Sequence, residues 1–293
     1  MDRLPFEQGR FRVIRGRTMK SYFSIAVAVL LLAGCIKAKT PEAFGHGNVY
    51  YDYGIDAQIP IAKRIVNSAK IYRPDGPGPF PAMIILHGSH GAGKESLYGY
   101  WAEYYLKKGF IVLRPDSFSS RGPEKHQMSW VDRGSLKDAE LVVTTGPYPI
   151  QVRAIDAFVA LDWLKNQPYV DPTKIFLHGH SHGAATILHV FSIVDPTGSD
   201  NTFAGGVAVS PLCGTFSDSE NLRGPIVIFH GSKDRNAVTH ECVIYRNDDA
   251  VGKNIYFEIL EGARHNPTID NSNKNYHPAM KEPLERFIEG IID

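Results

Sequence analysis

Gly179-His180-Ser181-His182-Gly183 sets a serine between two glycines, directly after the apolar run Lys174-Ile-Phe-Leu-His178 and ahead of the helix-compatible stretch Ala184 to Val190. Strand, tight turn and helix in that order expose a serine Oγ at the top of a sheet, and the flanking glycines suit a turn with no room for side chains. A serine hydroxyl is a weak nucleophile at neutral pH and needs a base, a carboxylate to orient that base, and donors for the oxyanion. Downstream, the apolar run Pro225-Ile-Val-Ile-Phe-His-Gly231 delivers Ser232-Lys233-Asp234, and Asn254-Ile-Tyr-Phe-Glu-Ile-Leu260 delivers Glu261-Gly262-Ala263-Arg264-His265. Asp234 is the candidate orienter and His265 the candidate general base. Upstream, Ala82-Met-Ile-Ile-Leu86 leads into His87-Gly88-Ser89-His90-Gly91, whose amide near Ser89 is the candidate partner of the His182 amide in an oxyanion hole.

Competing residues fit less well. Asp248 and Asp249 lie in helix-like sequence with no strand ahead of them, His240 and His277 do not directly follow a strand, and His87 reads as a packing residue that hydrogen-bonds the oxyanion loop. Gly88-Ser-His-Gly-Ala-Gly-Lys-Glu95 begins like a phosphate-binding loop, but has a carboxylate where Ser or Thr would hold Mg²⁺. His178, His180 and His182 alternate like metal ligands on one strand face. The serine turn breaks that alternation, and no Cys, Asp or Glu close by completes a set, so neither metal nor cofactor is expected.

These groups need a scaffold that gathers strand ends. Apolar runs at Met83–Leu86, Ile111–Leu113, Ile175–Leu177 and Gly205–Ser210 alternate with helix-like stretches at Lys94–Lys108 and Ile150–Asn166. That rhythm predicts a mostly parallel central sheet with right-handed crossovers and helices on both faces, an α/β protein. In the second helix, Ile155, Phe158, Val159, Leu161 and Leu164 form an apolar stripe, which puts Arg153 and Asp156 on the polar side as fold-stabilising charges. Asp116 to Tyr148, with Arg121, Trp130 and Arg133, is long, polar and weakly periodic, and is the candidate source of substrate selectivity.

The 293 residues are 43% hydrophobic with a formal net charge of +1, which gives no strong basic field for nucleic acid. Met19-Lys20, the apolar Ser21–Leu32 and Ala33-Gly34-Cys35 read as a secretory signal ending in a lipobox-like Leu32-Ala33-Gly34-Cys35. Cys35 would carry the lipid. Residues 1–35 are then signal peptide, 36–48 a tether and 49–293 the folded domain, with Met1 and Met19 both open as the start. Cys213 and Cys242 remain as an even pair that an oxidising compartment would join, the alternative being two buried thiols.

Gly-His-Ser-His-Gly, His-Gly-Ser-Lys-Asp and Gly-Ala-Arg-His, with Arg114-Pro-Asp-Ser-Phe-Ser-Ser-Arg-Gly122 and Val170-Asp-Pro-Thr-Lys174, resemble the dienelactone hydrolase family of α/β-hydrolases from about Tyr50 onward. The order Ser, Asp, His agrees with that fold. The namesake enzymes carry a cysteine nucleophile where this chain has Ser181, and the chain is more similar to an exported, serine esterase-like branch, in which similarly placed cysteine pairs occur. The resemblance implies an α/β-hydrolase fold and a serine hydrolase of carboxylic esters or lactones, working through an acyl-enzyme without a cofactor. Its partners would be a small-molecule ester or lactone and, through the lipid anchor, a membrane of the bacterial cell envelope facing the periplasm or exterior, with oligomeric state open. A peptidase or other acyl hydrolase with the same triad, and a non-catalytic lipoprotein binding module, are the alternatives.

Overall fold

Seven apolar segments pair into one sheet in the computed structural model, which describes residues 55–118, 150–198, 202–213, 222–235, 255–268 and 278–292. In chain order the elements are α1 (Ile55–Asn67), β1 (Lys70–Tyr72), β2 (Phe80–Leu86), α2 (Glu95–Lys107), β3 (Ile111–Arg114), α3 (Ile150–Lys165), β4 (Val170–His180), α4 (His182–Val190), β5 (Gly205–Val209), β6 (Ile226–Gly231), β7 (Ile255–Leu260) and α5 (Lys281–Ile292). The strands lie in the order β1-β3-β2-β4-β5-β6-β7. β1 runs antiparallel to β3 and the other pairs are parallel. The expected mostly parallel α/β-hydrolase architecture is therefore the one observed.

Alternation along each strand serves two cores. Ala82, Ile84 and Leu86 of β2 join Ile175 and Leu177 of β4 in the core packed by α1, α3 and α4. Met83 and Ile85 join Val112, Phe176, Val209 and Phe229 in the core packed by α2 and α5. A strand covered on both faces is apolar at every position, which is why these strands read as unbroken hydrophobic runs. β4 begins earlier than its apolar run implies, at Val170 opposite Phe80. The register then shifts before Ile175 meets Ala82, and in the intervening residues Asp171 accepts from the Thr173 amide and hydroxyl at 2.9 and 2.7 Å.

The polar side of α3 is not where Arg153 and Asp156 lie; Gln151 and Asp162 are its exposed polar residues. Arg153 and Asp156 are both fully buried, and every residue around them from Val152 to Leu161 is buried. Each keeps electrostatic or hydrogen-bonding partners inside the protein, so the charges face packed protein where periodicity placed water. Of the long segment after β3, Asp116–Phe118 is described; its remainder, with Arg121, Trp130 and Arg133, lies outside the described residues. So do the signal and tether expected over residues 1–48, Cys35 and Cys242.

Candidate active site

The turn from β4 to α4 holds Ser181 at φ 55° and ψ −116°, a left-handed backbone that side-chain-bearing residues rarely adopt. Hydrogen bonds over-determine it. The Ser181 amide donates to the Val209 carbonyl on β5 at 2.9 Å, and the Ser181 carbonyl accepts from the Ala185 amide at 2.9 Å. The two flanking glycines are required by contact: a Cβ on Gly179 would sit 2.4 Å from the Gly183 oxygen, and one on Gly183 would sit 2.1 Å from the Leu86 oxygen. Backbone from β2, β4 and α4 thus converges around the serine, which is 8% exposed.

Asp234 and His265 come from the ends of the next two strands. β6 and β7 pair through His230 with Ile259 and Gly231 with Leu260, and their loops are stitched beyond that point. Ser232 donates its amide to the Leu260 carbonyl at 3.1 Å, Lys233 donates to the Ala263 carbonyl at 2.9 Å, and the Ser232 hydroxyl accepts from the Gly262 amide at 2.8 Å. His265 Nδ1 meets Asp234 Oδ2 at 2.7 Å, with the carboxylate side chain fully buried and the imidazole 15% exposed. A carboxylate accepts only, so Nδ1 carries the proton and Nε2 is left with the lone pair that a general base uses.

Ahead of the serine, the His87-Gly88-Ser89 loop is held from three sides. His87 Nδ1–H donates to the Gly88 carbonyl at 2.7 Å, and its Nε2 accepts from the Ser117 amide at 3.1 Å. The Gly88 amide donates to the Tyr98 hydroxyl at 2.6 Å, so that amide is committed within the protein. Arg153 Nη2 donates to the His87 carbonyl at 2.6 Å, and its guanidinium lies 5.5 Å from the Phe118 ring centre. The buried arginine missed by periodicity therefore braces the loop that bears Ser89. His182 opens α4, where first-turn amides have no acceptor within the helix. Burial, and then the Arg153 charge, holds its ring well below the ordinary histidine range, hence neutral.

The three alternating histidines diverge. His178 lies under Trp101, ring centres 4.5 Å apart, with its Nδ1 2.9 Å from the Tyr105 hydroxyl, and burial pushes its pKa down to about 3. His180 turns to the His265 loop: its Nε2 is 2.6 Å from the His265 carbonyl oxygen and the two rings meet edge to face at 4.9 Å. His182 lies 6.3 Å from Phe118, ring centre to ring centre. Glu95, the carboxylate that spoils the phosphate-loop pattern, accepts from both terminal nitrogens of the buried Arg114 at 2.9 and 3.1 Å and from Lys70. Hydrogen bonding from Arg114 holds its pKa down to about 2. His240, His277, Asp248 and Asp249 lie outside the described residues.

The protein-family model of the dienelactone hydrolase family matches residues 68–289, most of the chain. None of the curated proteins matches its sequence. Among solved structures, a protein designated a dienelactone hydrolase from Klebsiella pneumoniae is similar over 77% of this chain and 92% of its own, at 15% identity and a TM-score of 0.59. Est1E from Butyrivibrio proteoclasticus is similar over 76% and 93%, at 14% identity and a TM-score of 0.53. Dipeptidyl peptidase 4 from Porphyromonas gingivalis shares 18% identity at a TM-score of 0.51; the match spans 77% of this chain and a third, 33%, of that one. At these identities the likeness is one of fold.

Proposed function

The chain belongs to the dienelactone hydrolase family, hydrolases acting on esters, and from that premise we propose that it cleaves carboxylic esters or lactones through Ser181, His265 and Asp234. The observation that carries this reading is the 2.7 Å contact between His265 Nδ1 and a fully buried Asp234, with the His265 carbonyl held by His180, the residue before a serine at positive φ. Ser181 Oγ attacks the acyl carbon as His265 Nε2 takes its proton. The tetrahedral oxyanion receives the amides of His182 and Ser89. His265 then returns the proton to the departing alcohol, and water repeats the sequence on the acyl-enzyme. The triad fixes the bond-breaking chemistry and leaves the acyl group open.

Hydrolysis of a panel of p-nitrophenyl esters beside a peptide panel tests the reading. Wild type is expected to turn over esters, and Ser181→Ala to lose at least about a thousandfold in kcat with an unchanged melting transition. Ester turnover retained by the folded variant would remove Ser181 from the mechanism. Preference for the peptide panel would favour the peptidase alternative, and failure of wild type to react with a fluorophosphonate probe would favour the binding module.

The setting belongs to the same proposal. Export with diacylglyceryl attachment at Cys35 rests on the apolar Ser21–Leu32 followed by Ala33-Gly34-Cys35. A Cys213–Cys242 bridge is supported by Cys213, which is buried and disulfide-bonded, while Cys242 lies outside the described residues. The intact mass of the chain from its native host reads both: an unmodified mature chain with two free thiols would overturn them.

A further inference from the structure

Resting on the triad reading above, we propose that His180 is a positioning residue for the general base, its imidazole holding the peptide carbonyl of His265 while Asp234 holds the ring. The carbonyl can only accept, so His180 Nε2 carries the proton that bridges the 2.6 Å between them. His180 is 5% exposed, and burial, followed by the neighbouring His265, pushes its ring well below the ordinary range. The neutral ring therefore has one proton, committed to His265, and a lone pair on Nδ1 that has no hydrogen-bond partner among the described residues. On that side the ring abuts the oxyanion loop: a Cβ on Gly88 would lie 3.3 Å from Nδ1 and 3.1 Å from the Tyr98 hydroxyl.

His265 sits beyond the end of β7, outside regular structure, so the pairing of β6 with β7 does not by itself fix its peptide plane. With the ring held only at Nδ1 by Asp234, rotation of the backbone would swing Nε2 away from the serine while keeping the carboxylate contact. A second hold at the carbonyl removes that freedom. His180 is also the residue covalently joined to Ser181, so a small shift of the nucleophile turn carries the brace, and with it the base, in the same direction. An apolar ring of the same size would fill the space and leave the His265 carbonyl without its donor.

The test compares His180→Phe, which keeps a somewhat larger aromatic ring and removes the donor, with His180→Gln, whose side-chain amide reaches the position of the imidazole Nε2. Steady-state hydrolysis of p-nitrophenyl acetate and the NMR resonance of the His265 Nδ1 proton are read for each, with Ser181→Ala as the control on the triad. His180→Phe is expected to lower kcat about 10- to 100-fold with KM within about twofold, and to shift or broaden the Nδ1 resonance. His180→Gln is expected to restore kcat to within about fivefold of wild type and to return the resonance. If His180→Phe does not fold, His180→Asn replaces it, because its amide stops short at the Nδ1 position. Wild-type kcat in the donor-less variant, or equal loss in the Gln variant with an unmoved resonance, would reduce His180 to packing. Hydrolysis retained by Ser181→Ala would instead overturn the triad reading, and the base-positioning role with it.

Discussion

Ser181 occupies a backbone region that disfavours side chains by about 1–3 kcal/mol, and the turn keeps it there because Gly179 and Gly183 let three backbone segments touch. Gly183→Ala follows directly: its new methyl would stand 2.1 Å from the Leu86 oxygen and 2.9 Å from the His87 oxygen, both backbone atoms that cannot swing aside. We expect roughly 3 kcal/mol or more of destabilisation by denaturant titration, whereas Gly93→Ala, with nothing within 4 Å of its Cβ, stays within about 0.5 kcal/mol of wild type. Ser181, Asp234 and His265 were legible as residues because each directly follows an apolar run, and a parallel sheet gathers such ends. His180 was legible only as one of three alternating histidines. Its contact crosses 85 residues of chain, and nothing local to position 180 encodes it.

Among the elements, β2, β4, β5 and β6 could be read from composition because both of their faces are buried. Three others gave weaker signals. β1 has three residues on an antiparallel edge, α1 carries Pro60 inside its second turn, and α5 lies downstream of every motif. The period of α3 gives the helix but not its buried charges, since the His87 carbonyl and Phe118 ring that Arg153 meets are distant in sequence or on another element. The phosphate-loop resemblance at α2 resolves into an ion cluster tying its first residue, Glu95, to β1 through Lys70 and to β3 through Arg114. Glu95→Gln leaves the 3% exposed Arg114 side chain without its carboxylate. A loss of about 1–2 kcal/mol is expected, kept modest because Glu95 is half exposed, with ester turnover unchanged. Calorimetry beside a steady-state assay checks both halves.

For the molecule as a whole, stability should depend on acid in a direction set by its interior. His178, His180 and His182 are buried with pKa values held below the ordinary histidine value of 6.5, down to about 3 for His178. Above 6.5 neither the folded nor the unfolded chain protonates them; below it the unfolded chain takes up protons that the fold refuses. Their contribution is complete at neutral pH and is lost as pH falls below 6.5, for His178 down to about 3, by up to about 1.4 kcal/mol per pH unit for each histidine. Glu95 adds a second loss between its ordinary 4.5 and about 2. Urea midpoints at pH 7.5, 6.0 and 5.0 should fall in that order, and a flat profile would contradict the buried neutral histidines. The order of assembly carries a different consequence. Ile85 meets His178 across about ninety residues of chain, and β7 joins the sheet last in sequence, at its edge. A ribosome that has released β5 has released Ser181 and the partners of its turn, but the imidazole that faces Asp234 emerges only after β7. A nascent chain therefore carries the proposed nucleophile without its proposed base until β7 has emerged.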